Sequence, residues 1–162
     1  MSLLAFILSA IATLSSAKCP AFAESTAAVV AGERPLFADD EGREKTAALM
    51  VAVAFREGSF LPLAGDVQAG KPTSFCTMQI HLPRGARTAE GWTGLELIAD
   101  TVKCVTAGLR LLRDSMRRCP AWPIAAYIEG PVGCTSERAQ RLSADRTRLA
   151  KWVLVRVTKE AE

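Results

Sequence analysis

The sequence has one histidine, His81, and one tyrosine, Tyr127. A single histidine excludes His-rich zinc sites and the HExxH metalloprotease helix, which need at least two. Any Ser-His-Asp or Cys-His arrangement would have to use His81, and no G-x-S-x-G or C-G-x-C-W string surrounds a nucleophile. Neither G-x-G-x-x-G nor G-x-x-x-x-G-K-[ST] occurs, so the usual phosphate-binding loops are missing. There is no C-x-x-C pair either, and no metal or cofactor is expected. No apolar run reaches the roughly 20 residues of a membrane span. Twenty Lys+Arg against seventeen Asp+Glu leave a net charge of +3, too little to imply nucleic acid as a partner. What remains is a chain of 162 residues, 49% hydrophobic and 23% charged, which as a prior is one globular domain.

Residues 1–17 carry no charged side chain and include the run Leu3-Leu4-Ala5-Phe6-Ile7-Leu8. Ser15-Ser16-Ala17 and Ala21-Phe22-Ala23 both fit small-x-small cleavage, the anatomy of a secretory signal peptide. The expectation is a signal over residues 1–23, cleaved after Ala23 or Ala17, and a secreted or periplasmic domain over residues 24–162. No Lys or Arg precedes the apolar run, and the competing reading is a buried N-terminal helix or an uncleaved anchor. Charge is uneven beyond this segment: residues 24–66 hold eight acids and four bases, residues 67–162 nine acids and fifteen bases. Arg110, Arg113, Arg117 and Arg118, then Arg138, Arg141, Arg146, Arg148 and Lys151, read as solvated helix faces or as an attraction to an anionic polymer such as a cell wall.

The cysteines are Cys19, Cys76, Cys104, Cys119 and Cys134. Cleavage after Ala23 would discard Cys19 and leave four, which in an exported protein suggests two disulfides. Cys104 and Cys119 read as one helix, roughly 22 Å apart at 1.5 Å per residue. A disulfide needs Cα atoms within about 7 Å, so that pair is excluded. Cys76–Cys104 with Cys119–Cys134 is the preferred pairing, because the second closes a short loop; four buried free thiols are the competing reading.

Helical periodicity dominates. A first clear helix covers residues 42–57, followed by a Gly- and Pro-rich stretch over 58–91 whose one strand-like segment is 75–82. Long loops inside a compact domain are often functional. Thr93-Gly94-Leu95-Glu96 reads as a capping box. Val102, Val105, Leu109, Leu112 and Met116 form an amphipathic stripe stopped by Pro120 and Pro123. A short helix over 124–129 and a last one over 136–157 follow, the latter with Ala139, Leu142, Leu149 and Val153 inward. The fold class expected is mainly α, an α+β arrangement with a small hairpin or loop region after the first clear helix.

Glu57 ends that helix. Leu49, Val53 and Glu57, or Met50, Val53 and Glu57, follow helical spacing, which puts the carboxylate on the core face. Desolvation and the C-terminal end of the helix dipole both disfavour a negative charge there. A carboxylic acid in such a place suits general-acid cleavage of a glycosidic bond. The competing reading is a terminal Glu satisfied by Arg56 or by backbone amides.

The string Val51-Ala52-Val53-Ala54-Phe55-Arg56-Glu57-Gly58-Ser59-Phe60 resembles the helix end of the lytic transglycosylases and goose-type lysozymes, where a catalytic Glu leads to Ser and an aromatic residue. Ser74-Phe75-Cys76-Thr77-Met78-Gln79-Ile80 resembles the S-x-G-L-M-Q-I segment of that family. Ala125-Ala126-Tyr127-Ile128-Glu129-Gly130 resembles its A-x-Y-N-A-G helix, and the three strings stand in family order across residues 42–135.

The resemblance implies a lysozyme-like fold and cleavage of the MurNAc–GlcNAc β-1,4 bond of peptidoglycan by a single-Glu acid/base mechanism with a 1,6-anhydro product, with no cofactor and a monomeric chain. Glu57 would be the acid/base. Ser59, Phe60, Met78 and Gln79 would bind the sugar, and Tyr127 would stand near Glu57 and hydrogen-bond into the site. Gly58 replaces the family's Ser, Cys76-Thr77 its Gly-Leu, and Ile128 its Asn, departures that suit either a divergent enzyme or a weakened binding relative. Asp66 is the candidate second carboxylate, with a turn-forming role as its alternative. His81 reads as structural or groove-lining. Among Trp92, Trp122 and Trp152, Trp92 between Gly91 and Gly94 is the one expected at the surface, where it could stack on sugar rings.

Overall fold

A computed structural model describes residues 1–62, 65–68, 70–83 and 85–161 of the chain. Its elements, in order, are α1 (Leu3–Leu14), α2 (Pro20–Gly32), α3 (Gly42–Gly58), β1 (Gly65–Gln68), β2 (Lys71–Phe75), β3 (Ile80–His81), α4 (Gly94–Ala99), α5 (Thr101–Arg118), α6 (Ala125–Glu129), a 3₁₀ turn (Gly130–Cys134) and α7 (Glu137–Lys159). The fold is mainly α with one small antiparallel sheet, as the periodicity implied.

Every residue from Thr46 to Ala54 is buried, so α3 has no solvent face along its middle. A helix apolar all round belongs in the centre of a fold. Around it pack α1, α2 and α7. Because all sides of α3 are covered, helical spacing by itself does not say which neighbour Glu57 meets; that depends on which element lies at the end of the helix.

The signal-like segment has a place in this core. Phe6, Ile7, Ala10 and Ile11 of α1 are at most 3% exposed. Ser2 caps α1 by accepting from the Ala5 amide, and Pro20 opens α2 at a position where a missing N–H costs nothing. Phe22, within the second cleavage motif, stacks on Phe60 with ring centroids 5.8 Å apart.

The segment over 75–82 is a turn between two strands instead of the single strand expected. β2 ends at Phe75, β3 starts at Ile80, and the Gln79 amide donates to the Cys76 carbonyl at 2.9 Å. Cys76 and Gln79 both take left-handed backbone, with φ of 62° and 48°. The strands run antiparallel in the order β1-β2-β3, with Ser74 opposite His81 and Phe75 opposite Ile80. Cys76 is bonded to Cys104 of α5, which ties this turn to the helix behind it. The second disulfide joins Cys119 to Cys134, and Cys19 is free. Both bonds follow the preferred pairing; a loop of about 15 residues closed this way stabilises by roughly 3 kcal/mol in the chain-entropy treatment.

Local signals at the helix ends are realised. The Thr93 hydroxyl accepts from the Glu96 amide while the Glu96 carboxylate accepts from the Thr93 amide at 2.8 Å. Asp100 then caps α5 through the Val102 and Lys103 amides. On α5 the buried face holds Val105, Leu109 and Leu112, but Val102 is 49% exposed. The tryptophans reverse the expectation: Trp92 packs partly buried against the core under the Lys103 ammonium, whereas Trp122 and Trp152 are exposed.

Candidate functional site

Two successive left-handed residues, Ser59 (φ 51°) and Phe60 (φ 67°), break α3 and turn the chain away. The Ser59 amide still caps the helix by donating to the Phe55 carbonyl at 2.9 Å. This leaves Glu57 on the last turn, its side chain 21% exposed and directed at α7. Arg146 of α7 meets it: Nη2 and Nε both donate to Glu57 Oε1, at 2.7 and 3.1 Å, and Nη1 donates to the Leu142 carbonyl at 3.3 Å. The guanidinium is only 8% exposed. Arg56, the partner weighed from sequence, instead pairs with Asp145 at 2.9 Å on the surface. Two neighbouring ion pairs of opposite sense, Arg56–Asp145 and Glu57–Arg146, thus join α3 to α7. The buried cation offsets both the desolvation and the dipole penalties on a carboxylate at this helix end.

Arg146 escaped the sequence reading, which placed it on a solvated face. The signal was available in its position: Ala139, Ser143, Arg146, Ala150, Val153 and Val157 are the buried residues of α7, spaced by four and three. An arginine on a buried stripe requires a buried partner.

Tyr127, in the middle of α6, stands beside this pair. Its phenol donates to the Met78 carbonyl in the β2–β3 turn, and its amide donates to the Ser115 hydroxyl at 3.0 Å. Burial holds the phenol well above its ordinary pKa, and the negative charge of Glu57 pushes the same way, with Arg146 opposing. Tyr127 therefore stands within electrostatic reach of Glu57, but its proton is committed to the turn.

The turn brings Gln79 to the same corner. Its Nε2 donates to the Cys76 carbonyl at 2.9 Å, and its Oε1 occupies space that only glycine leaves open at position 65, where a Cβ would lie 2.5 Å away. At Gly58 a Cβ would meet Gln79 Nε2 at an ordinary 3.9 Å, so space does not require glycine there. Met78 is fully buried against α5, in contact with the face that Gly108 leaves bare, so it fills the core and does not line a sugar site. Phe60 is likewise core, stacked between Phe22 and Phe55 at 5.8 Å from each. Ser59 is an exposed helix cap. Both corrections share one cause: α5 and α2 cover positions that the local strings leave undecided.

A groove of about 700 Å³ opens between the sheet, α5 and α6, lined among others by Asp66, Gln79, His81, Asp114, Arg118 and Tyr127. Asp66 accepts from the Ser74 hydroxyl at 2.7 Å and lies on the groove wall, so it fastens β1 to β2 while remaining exposed. Ile128 lines the same wall where the resemblance has a polar Asn. Glu57 does not line this groove; it lies behind Tyr127, engaged by Arg146. Among the described residues no group of three or more His, Cys, Asp or Glu stands together as a metal cluster, and no helix is long and apolar enough to cross a membrane. No family model, curated protein or solved structure matches the chain.

The phenol offers a clean pH test, since Tyr127 is the sole tyrosine. An unfolded tyrosine loses its proton near pH 10, while the folded one holds it to higher pH. Its contribution to stability is then complete below about pH 10 and is lost as pH rises beyond it. Phenolate absorbance is expected to appear together with unfolding, and Tyr127→Phe is expected to flatten the fall of stability above pH 10. Phenolate forming at ordinary pH in an intact fold would contradict the buried phenol.

Proposed function

We propose that the chain is an exported enzyme that cleaves the β-1,4 bond between MurNAc and GlcNAc in peptidoglycan, by a lytic transglycosylase-like mechanism with one glutamate. What supports this reading is the meeting of the three family-like strings: the turn with Gln79 and the helix with Tyr127 line one groove, and the helix end with Glu57 lies within electrostatic reach of Tyr127. Two disulfides fit an oxidising compartment outside the cytoplasm.

In this chemistry protonated Glu57 gives its proton to the glycosidic oxygen. The substrate's own N-acetyl group stabilises the oxocarbenium-like centre, in place of a second carboxylate nucleophile. The resulting carboxylate then removes a proton from the sugar's 6-hydroxyl, which closes a 1,6-anhydro ring; removal from water gives a reducing end instead. Asp66 and His81 on the wall offer hydrogen bonds to a glycan strand lying in the groove.

A second reading is favoured by the Glu57–Arg146 pair and by the absence of Glu57 from the groove wall: a lysozyme-like domain that holds glycan without cleaving it. Purified peptidoglycan incubated with the full chain, with products read by mass spectrometry, separates the two. Anhydro-muropeptides are the expected products. Reducing ends would make it a lysozyme, and intact glycan would remove the enzymatic reading, leaving co-sedimentation with the wall to test the binder.

A further inference from the structure

We propose that Arg146 is the positioning residue for Glu57, fixing which carboxylate oxygen carries the transferable proton; this rests on the enzymatic reading above. An arginine facing a carboxylate commonly engages both oxygens with two parallel bonds. Here Nε and Nη2 converge on Oε1 alone, at 3.1 and 2.7 Å. Among the described residues Oε2 accepts no hydrogen bond, so the two oxygens are chemically distinct. Oε1 carries the ion pair, and Oε2 is the oxygen on which a proton can reside and from which it can leave.

The fork is itself held. Arg146 Nη1 donates to the Leu142 carbonyl one turn earlier, and the guanidinium is 8% exposed within the buried stripe of α7. A long side chain so fixed gives the carboxylate one orientation, and misplacement by about 1 Å can cost on the order of 100-fold in rate. Facing Glu57 are Arg146 from α7 and the Tyr127 phenol from α6, with the Arg56–Asp145 pair alongside. From the other neighbours, α1 has no titratable side chain and the Glu24 of α2 is exposed. Removing the cation leaves the carboxylate without the partner that fixes its orientation.

Arg146→Met and Arg146→Lys, each assayed on soluble glycan strands with thermal unfolding recorded in parallel, test the assignment. Arg146→Met is expected to lower kcat by roughly 10- to 100-fold at little change in KM. Arg146→Lys keeps the charge without the fork, and is expected to recover only part of that kcat. Wild-type kcat in a folded Arg146→Met protein overturns the assignment, as does a loss of activity that matches the unfolded fraction alone. A wild-type chain that cleaves nothing fails earlier: it removes the enzymatic reading and leaves the pair a purely architectural contact, an outcome distinct from any difference between variants.

Discussion

Glu57→Gln is expected to lower cleavage of glycan strands by about 10²- to 10⁴-fold, the usual contribution of a positioned general acid or base. Glutamine keeps the size of the side chain, and its amide oxygen can still accept from Arg146. What it loses is the proton that the glycosidic oxygen must receive. The substitution also leaves the 8% exposed guanidinium without a counter-charge. Removing one partner of such a pair costs more than the pair contributes, because the remaining charge stays desolvated. With Glu57 partly open to solvent, the loss is expected at about 1–3 kcal/mol, in the range of a hydrogen bond to a charged group. Activity is therefore to be compared well below the unfolding temperature of the variant. Full activity in a folded Glu57→Gln protein would defeat the single-glutamate mechanism and pass the role to Asp66, which lies on the groove wall.

Deleting residues 1–17 is expected to have the largest effect on stability. Phe6, Ile7 and Ile11 are at most 3% exposed, and α1 packs against α2, α3 and α7. At about 1.5–3 kcal/mol per buried side chain of this size, the three together contribute roughly 5–9 kcal/mol. That is comparable with the whole stability of an ordinary domain, about 5–15 kcal/mol. A chain beginning at Lys18 is expected to unfold at least about 10 °C below the full chain, or to lose its cooperative transition. Starting at Glu24 would be worse, since Phe22 leaves its place on Phe60. Coincident thermal unfolding of the full and shortened chains would show that α1 is dispensable. The N-terminal sequence of the protein recovered from cells then decides between the two roles this segment can have, a leader removed on export or the first helix of the fold.

These expectations rest unequally on sequence and structure. The span of α3, the capping box at Thr93 and Glu96, the short helix around Tyr127 and the extent of α7 were all legible in the chain, because each depends on contacts within about four residues. The disulfide pairing was legible in part for a related reason: rise per residue along a helix is a local quantity that sets Cys104 and Cys119 too far apart to bond, and the short loop between Cys119 and Cys134 favoured the pairing observed over the one left. The place of Glu57 in the last turn of α3 was legible in the same way.

Only the tertiary structure decided what surrounds it. Arg146 is 89 residues from Glu57 in the chain, and nothing local to either predicts the pair. Met78 and Phe60 turned out to be core because α5 and α2 lie over them, and the segment over 75–82 became a turn because its ends pair within one sheet. The fully buried α3 made every face of that helix inward, so periodicity lost its power to orient Glu57. The physical reason is the same throughout. Caps and periods are set by a residue's near neighbours in sequence, whereas burial and charge pairing are set by whichever distant element comes to rest against it.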